Sequence, residues 1–224
     1  MADPRLRPKY VSFDCYGTLI YFEITSVTRR LLGDRLDEDQ TQAFLRRFSK
    51  YRYDQVCGSY YAYQQVLHDA YARTCAKFGL EVNEDAGEQL AAAVLTWGPH
   101  DDVPAPLKTM GDNYPLVIFS NADDSYLDVS VPKLGANFHS VFTAEQAGFY
   151  KPRYQAFEYM LDQLDASPED FVHVSSHTRY DLMPADDLGF TQKVFLDRGY
   201  DPQSPAYNYI TVGSLDELNS MLGL

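Results

Sequence analysis

A short run of β-forming residues leads directly into an acidic side chain and a tight turn near the start of the chain. Val11–Phe13 has strand character, Asp14 follows at once, and Gly17 and Thr18 complete the turn. In an open α/β sheet, ligands bind at the carboxyl ends of the strands. The segment therefore favours either an Asp that caps the turn or a carboxylate that takes part in catalysis.

Further short apolar runs predict the remaining strands of such a sheet. They are separated by segments of helical periodicity, such as the one from Tyr154 to Leu164, and a last short helix is predicted from Ser214 to Leu224. Strands that alternate with helices imply a parallel sheet with right-handed crossovers. The predicted strands after the first are Leu116–Phe119, Val141–Phe142, Phe171–Val174 and Lys193–Leu196.

The stretch from about Glu23 to Thr96 differs from the rest, because its apolar residues recur three and four positions apart and show no comparable β-alternation. Pro99 and the prolines after it mark the return to the alternating pattern. We therefore predict an α/β protein with a doubly wound, Rossmann-like parallel sheet. Its core domain is expected to comprise residues 1–20 and 100–224, with an inserted α-helical domain from 21 to 99.

Bulk properties exclude several classes of protein. The 224 residues suffice for one core with a small accessory domain, and no apolar run approaches the length of a membrane span. The N-terminal residues lack the apolar region of a secretory signal, and three cysteines without metal-ligand spacing argue against disulfides, so a cytoplasmic location is expected. A net charge of −13 disfavours nucleic acid as a partner, and no membrane partner is predicted.

Polar residues follow three of the predicted strands, and a lysine lies in the loop before a later helix. Because the strand ends of a doubly wound sheet converge on one crevice, we expect these side chains to meet. In order and spacing, the segments that contain these residues resemble the four motifs of the haloacid dehalogenase superfamily. The predicted helical insertion is similar to the cap domain of that superfamily. The segments that carry this resemblance are Phe13–Leu19, Ile118–Asn121, Lys151–Pro152 and Val174–Asp181.

Two positions indicate which branch of the superfamily the chain resembles. Most members are Mg²⁺-dependent phosphatases with a second Asp two residues after the nucleophile and acidic metal ligands in the fourth motif. Here Tyr16 and Ser176 stand at these places. The pattern is similar instead to the 2-haloacid dehalogenase branch. This resemblance implies hydrolysis of short 2-haloacids, in particular L-2-haloacids, to 2-hydroxy acids through an ester on Asp14, with no metal and no cofactor.

The resemblance also implies roles for individual residues. Lys151 is expected to keep Asp14 deprotonated and oriented, and Thr18 to hydrogen-bond it. One arginine of the helical domain is expected to bind halide, with Arg46 slightly preferred to Arg47. The other residues expected to contact substrate or halide are Tyr16, Ser120, Asn121 and Ser176.

The fourth motif departs from the better-known dehalogenases. His177 stands where they carry Asn, and one more residue separates Ser176 from Asp181. Our hypothesis is that His177 is the general base that activates water, oriented by Glu23, since imidazole has a suitable pKa. The alternative, in which Asp181 remains the base, is left open.

Two other activities are compatible with the same motifs. Asp14 would also be a suitable nucleophile for the hydrolysis of another small organic acid, such as the ring opening of a strained cyclic amino acid. A Mg²⁺-dependent small-molecule phosphatase is disfavoured by Tyr16 and Ser176. The expected partners are a small anionic substrate and halide, and a homodimer is plausible because this branch often dimerises.

Overall fold

The computed structural model describes residues 6–224, which divide into two compact units. One unit comprises the described residues up to Tyr21 together with Gly98–Leu224, and the other is Phe22–Trp97. Residues 1–5 lie outside the described residues. They are the start of the N-terminal stretch in which the sequence predicts no secretory signal. Within residues 6–224, no helix has both the length and the apolar character required to cross a membrane.

The unit Phe22–Trp97 is helical and has its own apolar core. Its second helix begins with a capping box between Asp37 and Gln40, and its third ends at Gly79, whose φ of 66° is the left-handed conformation that glycine adopts readily. The rings of Phe44 and Phe48 lie 5.6 and 6.0 Å from that of Tyr71. The helices are α1 (Ile24–Leu32), α2 (Glu38–Val56), α3 (Tyr63–Phe78) and α4 (Ala86–Val94).

The other unit is built on a parallel sheet in the order β3-β2-β1-β4-β5-β6. The order reverses direction next to β1, and in such sheets the crevice lies outside the carboxyl ends of the strands at that point. This topology confirms the predicted α/β class and the doubly wound sheet. The strands are β1 (Tyr10–Phe13), β2 (Leu116–Ser120), β3 (Ser140–Thr143), β4 (Phe171–Ser175), β5 (Gln192–Leu196) and β6 (Ile210–Val212).

The central strands β1, β2 and β4 are buried along their whole length, as expected for a parallel sheet covered on both faces. Strand β6 was not predicted from the sequence, because its three residues, although all β-branched, are too short a run to form a recognisable pattern. The helices of this unit are α5 (Pro104–Gly111), α6 (Asp124–Ser130), α7 (Ala144–Ala147), α8 (Tyr154–Leu164), α9 (Met183–Asp187) and α10 (Leu215–Leu222).

One face of the sheet packs against α8 through a cluster of aromatic rings. Phe157 of α8 is fully buried, and its ring lies 4.9 Å from that of Phe119 and 6.1 Å from that of Phe190. Aromatic contacts of this kind add to the free energy gained by burying the rings. The cluster fixes α8 beneath the strands whose ends carry the polar residues.

We predict that Phe157→Ala lowers the free energy of unfolding by about 3–5 kcal/mol, because a buried phenyl ring is lost and a cavity remains. Urea unfolding followed by circular dichroism measures the change. Val129→Ala on the exposed surface of α6 is the matched control and should change stability little. Equal effects of the two substitutions would contradict a packing role for Phe157.

Candidate functional site

The pairing of β1 with its two neighbours brings three strand ends to one edge of the sheet. Phe13 at the end of β1 is in register with Ile118 of β2 and Val174 of β4. The backbone N–H of Asp14 then donates to the carbonyl of Val174 at 3.0 Å. Asp14 is therefore fixed at the crevice with little of its surface exposed.

The centre of the site is the ammonium group of Lys151. Its Nζ donates to Asp14 Oδ1 at 2.9 Å, to Asp181 Oδ1 at 2.7 Å and to the carbonyl of Phe119 at 2.8 Å. All three hydrogens of the ammonium group are thus used. The side chains of Lys151, Asp14 and Asp181 are 1%, 7% and 0% exposed, so these ion pairs lie away from bulk water.

Burial and charge act in opposite directions on these groups. Burial alone would lower the pKa of Lys151, but the carboxylates of Asp14 and Asp181 outweigh it and hold this pKa above its ordinary value. Burial would likewise raise the pKa of Asp181, yet Lys151 and His173 hold it well below its usual range. The site therefore contains a permanent ammonium ion and at least one permanent carboxylate at neutral pH.

The second oxygen of Asp14 is held by a short chain of hydroxyl groups. Thr18 Oγ1 donates to Asp14 Oδ2 at 2.8 Å and accepts from the backbone N–H of Ser176 at 2.9 Å. Ser176 Oγ lies 3.1 Å from the same hydroxyl and can donate to it. Because Thr18 has only one hydrogen, these contacts direct it to Asp14. The carboxylate is oriented by one contact on each oxygen.

Asn121 and Ser120 lie at the end of β2 in different surroundings. The side-chain amide of Asn121 donates to the carbonyl of Lys151 at 2.8 Å and accepts from its backbone N–H at 2.7 Å, so this residue positions the lysine. The hydroxyl of Ser120 is buried and has no hydrogen-bond partner within residues 6–224. An unpaired buried hydroxyl is costly, so it is the better candidate to contact a ligand.

The segment that carries Asp181, where the resemblance implies one extra residue, departs from α-helical geometry. Residues 178–182 form a π-helix, in which the N–H of Leu182 donates to the carbonyl of His177 five residues earlier. A π-turn absorbs one additional residue without displacing the helix after it, and such turns are frequent at functional sites. Asp181 lies within this turn and reaches Lys151 from it.

His177 lies against the turn after Asp14. A Cβ atom on Gly17, whose φ is 93°, would come within 2.6 Å of His177 Nε2, so only glycine leaves room for this ring. His177 Nε2 is 3.3 Å from the carbonyl of Tyr16, and Nδ1 is 3.5 Å from Asp201 Oδ2. Burial would lower the pKa of His177, but Asp201 and then Asp14 raise it above its ordinary value. Asp201 could not be singled out from the sequence, because it lies in a loop without a recognisable motif.

The remaining predicted residues divide between the two units. The hydroxyl of Tyr16 lies 2.8 Å from Ser130 Oγ on α6, which leaves its ring rather than its hydroxyl to contact a ligand. Glu23 belongs to the helical unit, where it precedes α1. Arg46 and Arg47 are exposed on α2 of that unit.

A third arginine of α2, Arg52, was not singled out from the sequence. Its guanidinium lies 5.1 Å from the ring centre of Phe22 and 5.2 Å from that of Phe48, a cation–π arrangement. Its Nε is buried without a hydrogen-bond partner in the part of the chain that the structure describes. Such surroundings distinguish Arg52 from its two exposed neighbours on the same helix.

The site is poorly suited to a magnesium ion. Within residues 6–224, no group of three or more His, Cys, Asp or Glu side chains is placed to hold a metal. Mg²⁺ prefers several oxygen ligands in octahedral geometry. Here the ammonium of Lys151 already lies between the carboxylates of Asp14 and Asp181, so the residues present do not fit the ion.

We predict that Asp181→Asn lowers the free energy of unfolding at pH 7 by about 3–5 kcal/mol, because it leaves the buried charge of Lys151 with one partner fewer. The folded-state pKa of Asp181 is depressed from 3.8 to about 2, so its contribution to stability is present above about pH 4 and is lost as pH falls toward 2. Urea unfolding of the native protein and of Asp181→Asn across this range should show that the difference between their free energies of unfolding shrinks below pH 4.

Asp54→Asn provides the matched control for this prediction. Asp54 pairs with Arg73 on the exposed surface of the helical unit, where ion pairs contribute little. If the free energies of unfolding of the native protein and Asp181→Asn differ by the same amount at every pH, the ionised state assigned to Asp181 is contradicted.

Comparisons with known proteins identify the family. An (S)-2-haloacid dehalogenase of Pseudomonas putida is 26% identical over 186 residues, which cover 80% of this chain and 82% of that protein. Another, from Burkholderia cepacia, is 26% identical over 220 residues, covering 94% and 93%. The solved structure of an L-2-haloacid dehalogenase from Xanthobacter autotrophicus with covalently bound chloropropionic acid shares the fold, with a TM-score of 0.77, 23% identity and coverage of 97% and 99%. A profile of haloacid dehalogenase-like hydrolases matches residues 8–189, and the chain therefore belongs to this family.

Proposed function

We propose that this hydrolase removes halide from short 2-haloacids through an ester formed on Asp14, without a metal ion. The observation that carries the proposal is a buried carboxylate held by an ammonium ion and a hydroxyl, with no second carboxylate at position 16. A halide leaving group needs no proton, so the reaction requires no acid at that position. The similarity to two curated (S)-2-haloacid dehalogenases supports the same class of substrate.

In the first step, an oxygen of Asp14 attacks C2 of the substrate. The new C–O bond forms as the carbon–halogen bond breaks, and the halide leaves with the electron pair. Lys151 and Thr18 hold the carboxylate in one orientation, and aligned attack of this kind can reach effective molarities of about 10⁵–10⁸ M. The buried hydroxyl of Ser120 is free to bind the carboxylate of the substrate or the departing halide.

In the second step, water attacks the carbonyl carbon of the Asp14 ester. One water proton passes to a base as the new C–O bond forms, and the ester C–O bond then breaks. The leaving alkoxide takes that proton back from the base and departs as the 2-hydroxy acid with the original aspartyl oxygen. The second water proton is released, and the carboxylate of Asp14 is regenerated with an oxygen from water. His177 is the proposed base, because its ring lies against the Asp14 turn and its Nδ1 lies 3.5 Å from the carboxylate of Asp201. Asp201 therefore joins Glu23 as a candidate orienting group.

The helical unit is proposed to act as the cap of the active site and to supply a cation for the anionic substrate. Arg46 remains the arginine suggested by spacing, with Arg47 as its alternative. The ring of Tyr16 is proposed to provide an apolar wall beside the reacting carbon. A homodimer and a cytoplasmic location remain predictions.

The proposed nucleophile can be tested by isotope incorporation. In a single turnover of L-2-chloropropionate in H₂¹⁸O containing EDTA, we expect one ¹⁸O atom in the peptide that carries Asp14, because water attacks the aspartyl carbonyl. Asp14→Asn should release no halide. Label that appears in the product but never in Asp14 would exclude the ester. Halide release that requires added Mg²⁺ would exclude a metal-free reaction, and Mg²⁺-dependent hydrolysis of p-nitrophenyl phosphate would favour a phosphatase.

The proposed base can be tested by trapping the intermediate. His177→Asn should release about one equivalent of halide per site and then stop, with the ester detectable as added mass on the intact protein. In the native enzyme, ester hydrolysis should accelerate as pH rises through a value above 6.5, because the pKa of His177 is raised and only the neutral ring accepts a proton.

Two comparisons make this test specific. Asp201→Asn and Glu23→Gln show which carboxylate orients the ring, since loss of that group should move the rise in ester hydrolysis to lower pH. Unimpaired steady-state turnover by His177→Asn would overturn the base role and return it to Asp181.

A further inference from the structure

A second histidine, His173, lies beneath the site and has no role in either step of the proposed reaction. It occupies the middle of β4 and is fully buried. Its ring lies 5.8 Å from that of Phe157 and 6.0 Å from that of Phe190, so apolar side chains flank it. A polar ring in such surroundings needs hydrogen-bond partners on both nitrogens.

The sheet supplies one of these partners through its register. Ser12 of β1 is the register partner of His173 in β4, so the two side chains project from the same face of adjacent strands. Ser12 Oγ lies 2.9 Å from His173 Nδ1. When Ser12 donates to Nδ1, the ring hydrogen is placed on Nε2.

Asp181 is the partner of the other nitrogen. His173 Nε2 lies 3.1 Å from Asp181 Oδ1, and because an ionised carboxylate can only accept, the hydrogen of this contact belongs to the ring. The same oxygen accepts from Lys151 Nζ at 2.7 Å, and Asp181 Oδ2 accepts from Ser175 Oγ at 3.0 Å. Three donors from separate residues therefore surround one carboxylate that is fully buried.

A carboxylate in this position is badly placed to take a proton from water. Its oxygens are directed at the lysine, the imidazole and the serine, and each donor would lose a charge-assisted hydrogen bond if Asp181 became protonated. His177, in contrast, lies against the turn that carries Asp14. The contacts of its ring nitrogens, at 3.3 Å to the carbonyl of Tyr16 and 3.5 Å to Asp201 Oδ2, are longer than the three that Asp181 accepts.

We propose that His173 is a positioning residue, which donates its Nε2–H to Asp181 and reserves that carboxylate as a fixed counter-ion for Lys151, leaving the proton of the attacking water to His177. This inference rests on the proposed dehalogenation. In this arrangement Asp181 supports the first step, formation of the ester, because it orients Lys151 and Asp14. Asp181 takes no part in the second step, hydrolysis of the ester.

The test separates the two steps by pre-steady-state halide release. The double variant His173→Phe with Ser12→Ala keeps an aromatic ring between Phe157 and Phe190 and leaves no unpaired hydroxyl. We expect its halide burst from L-2-chloropropionate to be at least about 10-fold slower, since a hydrogen bond to a charged group is lost. Hydrolysis of the ester, once formed, should change by less than about 2-fold.

Two further variants distinguish positioning from packing. His173→Gln places an N–H donor near the position of Nε2 and should restore most of the burst rate. His139→Phe replaces a histidine outside the site and should behave as the native enzyme. A normal burst in the double variant, or slowing confined to ester hydrolysis, would overturn the proposal.

The protonation of the ring gives a readout that does not depend on turnover. In ¹⁵N spectra of histidine-labelled native protein, His173 should carry a hydrogen on Nε2, and Ser12→Ala should weaken this preference. Hydrogen on Nδ1 alone would overturn the proposal. If the native enzyme releases no halide from any 2-haloacid, the proposed function fails, whereas these spectra still decide whether His173 donates to Asp181.

Discussion

The buried ammonium of Lys151 is the constraint on which the rest of the site depends. An isolated charge is strongly unfavourable in the interior unless oxygen atoms replace its lost hydration. Here they come from the residue after β1, from the carbonyl of Phe119 in β2 and from the π-helical turn after β4. One cation thus ties together three segments that are distant in sequence. Removal of either carboxylate leaves the remaining charges unbalanced, so stability and chemistry are coupled at this point.

Much of the sheet and the outline of the site could be predicted from sequence, because both depend on local patterns. Short buried strands have a distinct composition, and the topology of a doubly wound sheet brings their carboxyl ends together. The sequence therefore predicts that Asp14, Lys151 and Asp181 lie at one edge of the sheet. The edge strand β6 was missed, because a run of three β-branched residues is too short to distinguish a strand from a loop.

Several features of the site depend instead on contacts between distant parts of the chain, and local patterns did not reveal them. The partnership of His173 with Ser12 arises from strand register, which no local pattern encodes. The side-chain amide of Asn121, a residue predicted to contact substrate, binds the backbone of Lys151 at both ends. Asp201 and Arg52 were overlooked for the same reason, since neither lies in a motif and only the folded chain shows what surrounds each.

The π-helical turn at residues 178–182 has a consequence for how such chains diverge. An extra residue in a regular α-helix rotates everything after it by about 100°, which would carry an acidic side chain away from its partner. A single wide turn would confine such an insertion to one place, and Asp181 contacts Lys151 from within a turn of this kind. Length between functional groups can therefore vary during evolution while geometry is preserved, and searches that require a fixed spacing would overlook sequences of this kind.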